Sequence, residues 1–233
     1  MGGTVSELRQ PSARLAARAR HTTGDDSTGS RPLDTLPALA DLLPHGTLRA
    51  GAAYSVTGST ALTMALAAGP SAAGAWCGVV GMPGFAALAA ADLGVVLDRL
   101  VLVPDPGTRW LSVVAALIDA LTVVVVRPPT TVRDADAARI AARLRQREAV
   151  LIACGPWPRH EAHLTISESS WLGVGSGHGH LTARRATVAV EGRGTVGRPR
   201  RARLWLPDPD GAVRVVEEST APDAPAWVRE AAG

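Results

Sequence analysis

The chain contains no lysine and no asparagine, so all 24 of its Lys and Arg positions are arginine. The absence of lysine excludes every site that needs a lysine ammonium group. Codons for lysine and asparagine are AT-rich, and we therefore attribute the bias to a GC-rich genome rather than to selection for nucleic-acid contacts. The formal net charge of +3 is modest and does not by itself indicate a polyanionic partner.

Cysteines and long apolar runs are also scarce. Cys77 and Cys154 are the only cysteines, and each stands in an apolar run, which argues against a disulfide framework or a cysteine-based metal site. No run of about 20 apolar residues is free of proline, glycine clusters or charge, and the N-terminus lacks a signal-like apolar core. We therefore expect a cytoplasmic protein without a membrane partner.

The 233 residues, 46% of them apolar, suffice for one substantial packed domain. We predict that residues 1–30 form a basic helix and linker, that residues 31–216 form the domain, and that residues 217–233 form a tail. The helix at 5–20 is a candidate for contact with a second copy or a partner, and a disordered arm is the alternative.

Short apolar runs alternate with alanine-rich helical patterns, which predicts an α/β fold with a mostly parallel central sheet flanked by helices. The runs lack alternation, as strands buried on both faces do. After Cys154 the pattern changes to glycine- and proline-bounded strands, which we predict to be antiparallel. The predicted parallel strands are 53–58, 75–81, 100–104, 122–126 and 149–154, and the helices are 60–72, 85–93, 109–120 and 133–147.

From about residue 46 to residue 216 this order resembles the core of the RecA-like recombinase ATPases. The stretch "TALTMALAAGPSAAGAWCGVVG" is similar to the helix and second strand that follow the family's phosphate loop. "FAALAAADLGV" is similar to the next helix, and "TVVVV" to the strand that normally ends in a metal-holding aspartate. The resemblance implies a RecA-like core with antiparallel strands at its C-terminal end.

The resemblance also shows what this chain lacks. A phosphate loop needs accessible backbone N–H groups, a lysine and a Ser/Thr for magnesium, yet here the loop shrinks to Gly58, Ser59 and Thr60. Arg127 stands at the metal-holding position, where a positive charge disfavours a cation. Gly81 and Met82 replace the water-activating glutamate, and Cys154 and Gly155 replace the polar pair that senses the terminal phosphate. We therefore expect no ATPase activity, no enzyme function and no cofactor.

A RecA-like frame stripped in this way, in a small lysine-free chain, resembles the actinobacterial ImuA-type accessory proteins of inducible mutagenesis. That resemblance implies a non-catalytic adaptor in translesion DNA synthesis after DNA damage. Its partners would be a polymerase-like ImuB-type protein and an error-prone DNA polymerase. Self-association and direct contact with DNA are compatible with this role.

One arginine cluster is a candidate nucleic-acid-binding segment, and a solvated loop is the alternative. Binding of single strands usually needs stacking aromatic side chains, of which only Trp205 is near. The loops after the fourth and fifth parallel strands look too short to clamp a filament, although Trp157, Arg159 and His160 could make a small contact. The clustered residues are Arg193, Arg198, Arg200, Arg201 and Arg203.

Two other functions compete with the adaptor. One is a nucleotide sensor or unrecognised small-molecule enzyme, for example one that binds ATP through Ser59, Thr60 and backbone amides. The other is a homo-oligomeric structural protein without a DNA role. The histidines of "GVGSGHGH" at 173–180, with His160 and His163 upstream, suggest a metal, but no placed carboxylate or cysteine accompanies them, and a hairpin explains the glycines better.

Overall fold

The computed structural model describes residues 31–175, 178–192 and 199–217. These residues form five α-helices and eleven strands, nine of which make one large sheet. The strands are β1 (Pro32–Leu33), β2 (Leu48–Arg49), β3 (Ala53–Thr57), β4 (Cys77–Val80), β5 (Leu100–Val103), β6 (Val123–Val126), β7 (Val150–Cys154), β8 (Ala162–Gly175), β9 (His178–Gly192), β10 (Arg200–Trp205) and β11 (Arg214–Val215). The helices are α1 (Pro37–Ala40), α2 (Thr60–Ala72), α3 (Ala87–Asp92), α4 (Trp110–Ala120) and α5 (Asp134–Arg147).

The large sheet has the strand order β11-β10-β9-β8-β3-β7-β6-β4-β5. The pairs from β5 across to β8 are all parallel, whereas β8, β9, β10 and β11 pair antiparallel with one another. The predicted α/β class, with a mostly parallel sheet and antiparallel C-terminal strands, is therefore confirmed. We call β3 to β7 with their helices the parallel half, and β8 to β11 the antiparallel half.

Helices cover both faces of the parallel half, which explains its strands of unbroken apolar residues. All four residues of β4 and of β6 are buried. One face packs against α1 and α2 through side chains such as Leu39, Leu62 and Leu66. The other face packs against α4 and α5 through Val114, Ile118 and Leu144. The sheet thus forms the middle layer of three.

Helix α2 matches its predicted bounds of 60–72, and one glycine sets how closely it packs. A Cβ on Gly69 would lie 2.6 Å from Thr35 Cα and 2.7 Å from the Asp34 carbonyl oxygen, both of them backbone atoms. Only a residue without a side chain permits this approach. The segment that leads into α1 is thereby held directly against α2.

The antiparallel half buries only one of its faces. Val188, Val190 and Leu204 join the core beneath α1 and α2, whereas the alternate positions of β9 and β10 point away from it. Strands β8 and β9 pair antiparallel up to Gly175 and His178, which lie opposite each other. None of the described helices combines the length and the apolar character needed to span a bilayer.

Candidate functional site

The β3–α2 crossover lies at the carboxyl edge of the parallel strands, where open α/β sheets usually bind ligands. Only Gly58 and Ser59 separate the end of β3 from the first residue of α2. Gly58 has φ +84°, a left-handed conformation that favours glycine. Ser59 caps the helix, since its Oγ accepts from the Leu62 N–H at 3.1 Å. The serine hydroxyl is therefore engaged within the chain.

Arg127 lies at the same edge, at the start of the connection between β6 and α5. It follows β6 directly, and its guanidinium donates to Thr60 Oγ1 at 3.1 Å and to Cys154 Sγ at 3.4 Å. The side chain therefore bridges the start of α2 and the end of β7. Its positive charge stands beside the threonine hydroxyl that, in the resemblance, would face magnesium.

A second guanidinium reaches the crossover from the antiparallel half. Arg184 on β9 donates to Ser59 Oγ at 3.4 Å, and its guanidinium carbon lies 5.6 Å from the centre of the Trp171 ring. Burial lowers the pKa of Arg184, and its buried Nε has no hydrogen-bond partner within the described residues. Sequence reasoning missed this residue, because 125 positions separate it from Ser59 and no motif links the two.

A cleft of about 720 Å³ adjoins this edge, with proline-rich loops after β6 and β7 on one side and β8 on the other. His160 and His163 line this cleft, and the centres of their rings lie 5.6 Å apart. Ser55 Oγ donates to the Gly155 carbonyl oxygen at 2.9 Å, so the 3.0 Å contact between Ser55 Oγ and His163 Nδ1 needs the proton on the histidine. His160 Nδ1 likewise donates to the Trp157 carbonyl oxygen at 2.7 Å.

Both imidazoles are thereby fixed as Nδ1–H tautomers with their Nε2 lone pairs unused in these bonds. Burial, and then the neighbouring His160, lower the pKa of His163, which keeps its ring neutral at pH 7. Ser55 is only 1% exposed and gives its proton to a carbonyl group, so it is unsuited to be a nucleophile. Within the described ranges, no three His, Cys, Asp or Glu side chains are arranged to hold a metal ion.

The arginine cluster predicted from the sequence is divided by the fold. Arg193 and Arg198 lie outside the described residues. Arg200 turns toward α1, where its Nη1 donates to the Leu43 carbonyl oxygen at 2.6 Å and contacts that of Asp41 at 3.4 Å. Arg201 and Arg203 are exposed on β10 and belong to the opposite face, so one segment serves two surfaces.

The prediction that the loop after β7 makes a small nucleic-acid contact is wrong for Trp157. Trp157 is only 2% exposed, because its ring packs edge-to-face on Trp110 at 6.5 Å. Arg159 is held by Asp134, with its Nη2 2.6 Å from the carboxylate. Hydrogen bonding to Arg159 lowers the pKa of Asp134 in turn. Of this predicted group, Trp157 and His160 border the cleft.

These features define a mixed α/β protein in which arginine side chains occupy the carboxyl edge of the parallel strands. The chain belongs to the MT3502 N-terminal domain family, whose model matches residues 41–159. It is also 32% identical over 173 residues to the uncharacterized protein Rv3395c of Mycobacterium tuberculosis. That match covers 72% of this chain and 74% of the relative. The matched family segment includes the crossover and most of the cleft.

Proposed function

We propose that this protein is a non-catalytic adaptor of an inducible translesion synthesis complex. On a RecA-like frame it holds a polymerase-like ImuB-type partner, and through it an error-prone DNA polymerase, near damaged DNA. The ImuA-type resemblance supplies the identity of the complex. The closed β3–α2 crossover supports the proposal that the adaptor is non-catalytic.

The observation with the most weight is the bond from Arg127 to Thr60. A nucleotide-hydrolysing site needs free backbone N–H groups around the phosphates and a divalent cation beside the hydroxyl. Here the connection consists of two residues, and the Ser59 hydroxyl caps the helix. The Arg127 guanidinium donates to the Thr60 hydroxyl, beside which such a site would need a cation. The strand-to-helix crossover remains as scaffold because the sheet requires it.

Exposed apolar side chains near the β5 edge of the sheet support a partner surface there. The apolar edge, as we name it, consists of exposed large apolar side chains from α3, from β5 and from the residues that lead into β4 and β5. Leu88 is 78% exposed, and exposed apolar side chains mark an interaction site when several of them form a patch. Its members are Trp76, Leu88, Val96, Leu97 and Leu102. We assign this edge to the polymerase-like partner.

The test is recovery of the tagged protein from cells treated with a DNA-damaging agent, beside untreated cells, with mass spectrometry of the proteins retained. We expect a polymerase-like subunit in the wild-type sample and its loss with Leu88→Glu. Leu181→Glu is the matched control, since Leu181 is also exposed but lies on β9. If no polymerase-related protein is retained, the adaptor proposal fails. If both variants retain it equally, the assignment of the apolar edge fails.

A nucleotide sensor is the second candidate, because Arg127 and Arg184 place two cations beside the first turn of α2. Such a site would bind a phosphate group without hydrolysis. A ligand that binds only the folded state raises its melting temperature in a saturable way. An increase with ATP that disappears in Arg127→Ala would favour the sensor, whereas the adaptor predicts the same melting temperature with and without ATP.

A further inference from the structure

We infer that the open face of β9 and β10 binds single-stranded nucleic acid. We define the basic face as Arg185, Arg201, Arg203 and Trp205. This inference specifies the DNA contact within the proposed function. It rests on that function only for the identity of the nucleic acid, which the proposed function makes DNA. The basic face differs from the predicted arginine segment, since it excludes Arg200 and gains Arg185 from a neighbouring strand.

Strand register brings the four residues together. Trp205 is the direct partner of Arg185 across the β9–β10 ladder, and Arg203 is the partner of Thr187. Directly opposed residues in an antiparallel pair project from the same face, as do alternate residues along one strand. Arg201, Arg203 and Trp205 therefore follow one another at intervals of about 6.6 Å along β10. The result is a row with a fixed spacing.

The opposite face of these strands is sealed against the core. Val188 and Leu204 are fully buried there beneath α1 and α2. Among the described elements, the helices of the second layer, α4 and α5, pack against the parallel half instead. Arg185, Arg201 and Arg203 are accordingly exposed. The basic face is therefore open at its three arginines, whereas Ala189, the strand partner of Arg201, is buried.

The positive charge on this face is not neutralised from within. In the described part of the chain, none of Arg185, Arg201 and Arg203 forms an ion pair. A shallow depression of about 290 Å³ lies between Arg185 and Arg203, bordered by the hydroxyl groups of Ser170 and Thr187. Glu168 also borders it and is held 3.4 Å from Thr187 Oγ1. Because Thr187 donates its hydroxyl proton to Glu168, the guanidinium groups and the Ser170 hydroxyl remain as donors for phosphate oxygens.

An aromatic platform accompanies the charge. The guanidinium carbon of Arg185 lies 4.8 Å from the centre of the Trp205 ring, within the range of a cation–π contact. A guanidinium plane supported by an indole offers a surface on which an unpaired base can stack. Single strands expose the faces of their bases, whereas a duplex hides them in the stack. The combination of a basic row and one stacking site therefore favours a single strand over a duplex.

The test is fluorescence anisotropy of the full chain with a labelled oligothymidine. Its length is about 16 nucleotides, the upper end of the site sizes that single OB folds cover on a single strand. We expect Arg201→Ala/Arg203→Ala to weaken binding about tenfold or more. The slope of log K against log salt should also become shallower by about 1.4, because each lost phosphate contact removes about 0.7. Arg109→Ala/Arg145→Ala is the charge-matched control, expected within about twofold, since in the described residues neither side chain forms an ion pair.

The aromatic platform has a separate test. Trp205→Ala should weaken binding about tenfold, and Trp205→Phe should restore most of it, with thermal melting used to verify folding. If Trp205→Ala does not fold, Arg185→Ala takes its place, because it removes the guanidinium plane from the exposed surface.

Equal losses in the paired variant and its control would overturn the proposal, as would binding of duplex DNA as tightly as the single strand. An oligouridine arm shows whether DNA or RNA is preferred, and a preference for either supports a single-strand face. The partner-recovery experiment with Leu88→Glu is independent of this surface. A failure here therefore leaves the adaptor proposal intact, and a failure there leaves the basic face intact.

Discussion

The most prominent arginines of the two halves of the sheet differ in what they bind. In the parallel half, Arg143 and Arg147 of α5 pair with Asp119 of α4, and Arg127 is bonded to Thr60 and Cys154. In the antiparallel half, Arg201 and Arg203 point outward, with no ion pair inside the described ranges. The same residue type thus closes the β3–α2 crossover in the parallel half and leaves one face of β10 open to anions, whereas Arg214 of β11 pairs with Asp208.

This contrast shows that the composition of a lysine-free chain says little about where its positive charge is available. An arginine whose donors are engaged by carboxylates or carbonyl groups offers little to a phosphate chain. Availability depends on the strand register and on the helices that cover each face. The following predictions test the contrast, from the largest expected effect to the smallest.

The first prediction concerns where stability resides. Leu151 of β7 is fully buried between the sheet and the second helix layer. We expect Leu151→Ala to lower the free energy of unfolding by about 2–5 kcal/mol, because it removes buried methyl groups and leaves a cavity. Leu181→Ala, at a site 57% exposed on β9, should cost less than about 0.5 kcal/mol. Urea denaturation measures both, and similar losses would contradict the division.

The second prediction concerns the closed crossover. Ser59→Ala removes the side-chain acceptor for the Leu62 N–H and should cost about 1 kcal/mol, as helix N-cap deletions usually do. Ser59→Asp retains an acceptor at the same place and adds a charge that suits the helix N-terminus and Arg184. Thermal melting should therefore rank the aspartate variant above the alanine variant. The reverse order would show that the crossover is held by something other than this cap.

The third prediction separates two consecutive arginines on opposite faces. Arg200→Ala deletes the bond to the Leu43 carbonyl oxygen and should lower the free energy of unfolding by about 0.5–1 kcal/mol. Arg201→Ala should change it by less than about 0.5 kcal/mol while weakening single-strand binding. Denaturation and anisotropy on the same two samples give the comparison. Equivalent behaviour of the two variants would mean that the faces are not distinct.

The fourth prediction concerns the boundary between the halves, where His163 faces Ser55 of β3, His160 and Glu191 of β9. Burial lowers the pKa of His163 in the folded state below its ordinary value of 6.5. As the pH falls through 6.5, the unfolded chain takes up the proton first, so the free energy of unfolding decreases. His163→Gln should flatten this decrease between pH 7 and 5. An unchanged pH profile would show that His163 does not contribute to the pH dependence of the free energy of unfolding.

The parallel half could be predicted from its sequence because each signal in it is local. Buried strands without alternation and alanine-rich helices gave an α/β fold, and the predicted bounds of α2 agree with the structure. Other ends in this half differ by at most two residues, as for α3, predicted at 85–93 and observed at Ala87–Asp92. Ends of helices and strands depend on tertiary contacts that the local pattern does not contain.

The candidate sites were harder to predict, because their members come from distant parts of the chain. Gly58, Ser59, Thr60 and Arg127 were found through a resemblance, yet Arg184 arrives on a strand more than 120 residues later. The arginine cluster was found by its density alone, and density does not distinguish Arg200 from Arg201. Only the alternation along β10, fixed by its register with β9, separates the two faces. The roles of all these residues stay predictions.

The apolar edge has a consequence for assembly. β5 ends the sheet on one side with four residues, whereas β11 ends it on the other with only two. Strand pairing between two copies through β5 would use the same patch twice and close as a symmetric dimer. A second copy and a polymerase-like partner would then compete for one edge. The fraction of the protein available to the partner would therefore fall as the protein becomes more concentrated, because each dimer would occupy two copies of the edge, although the amount of captured partner would still rise.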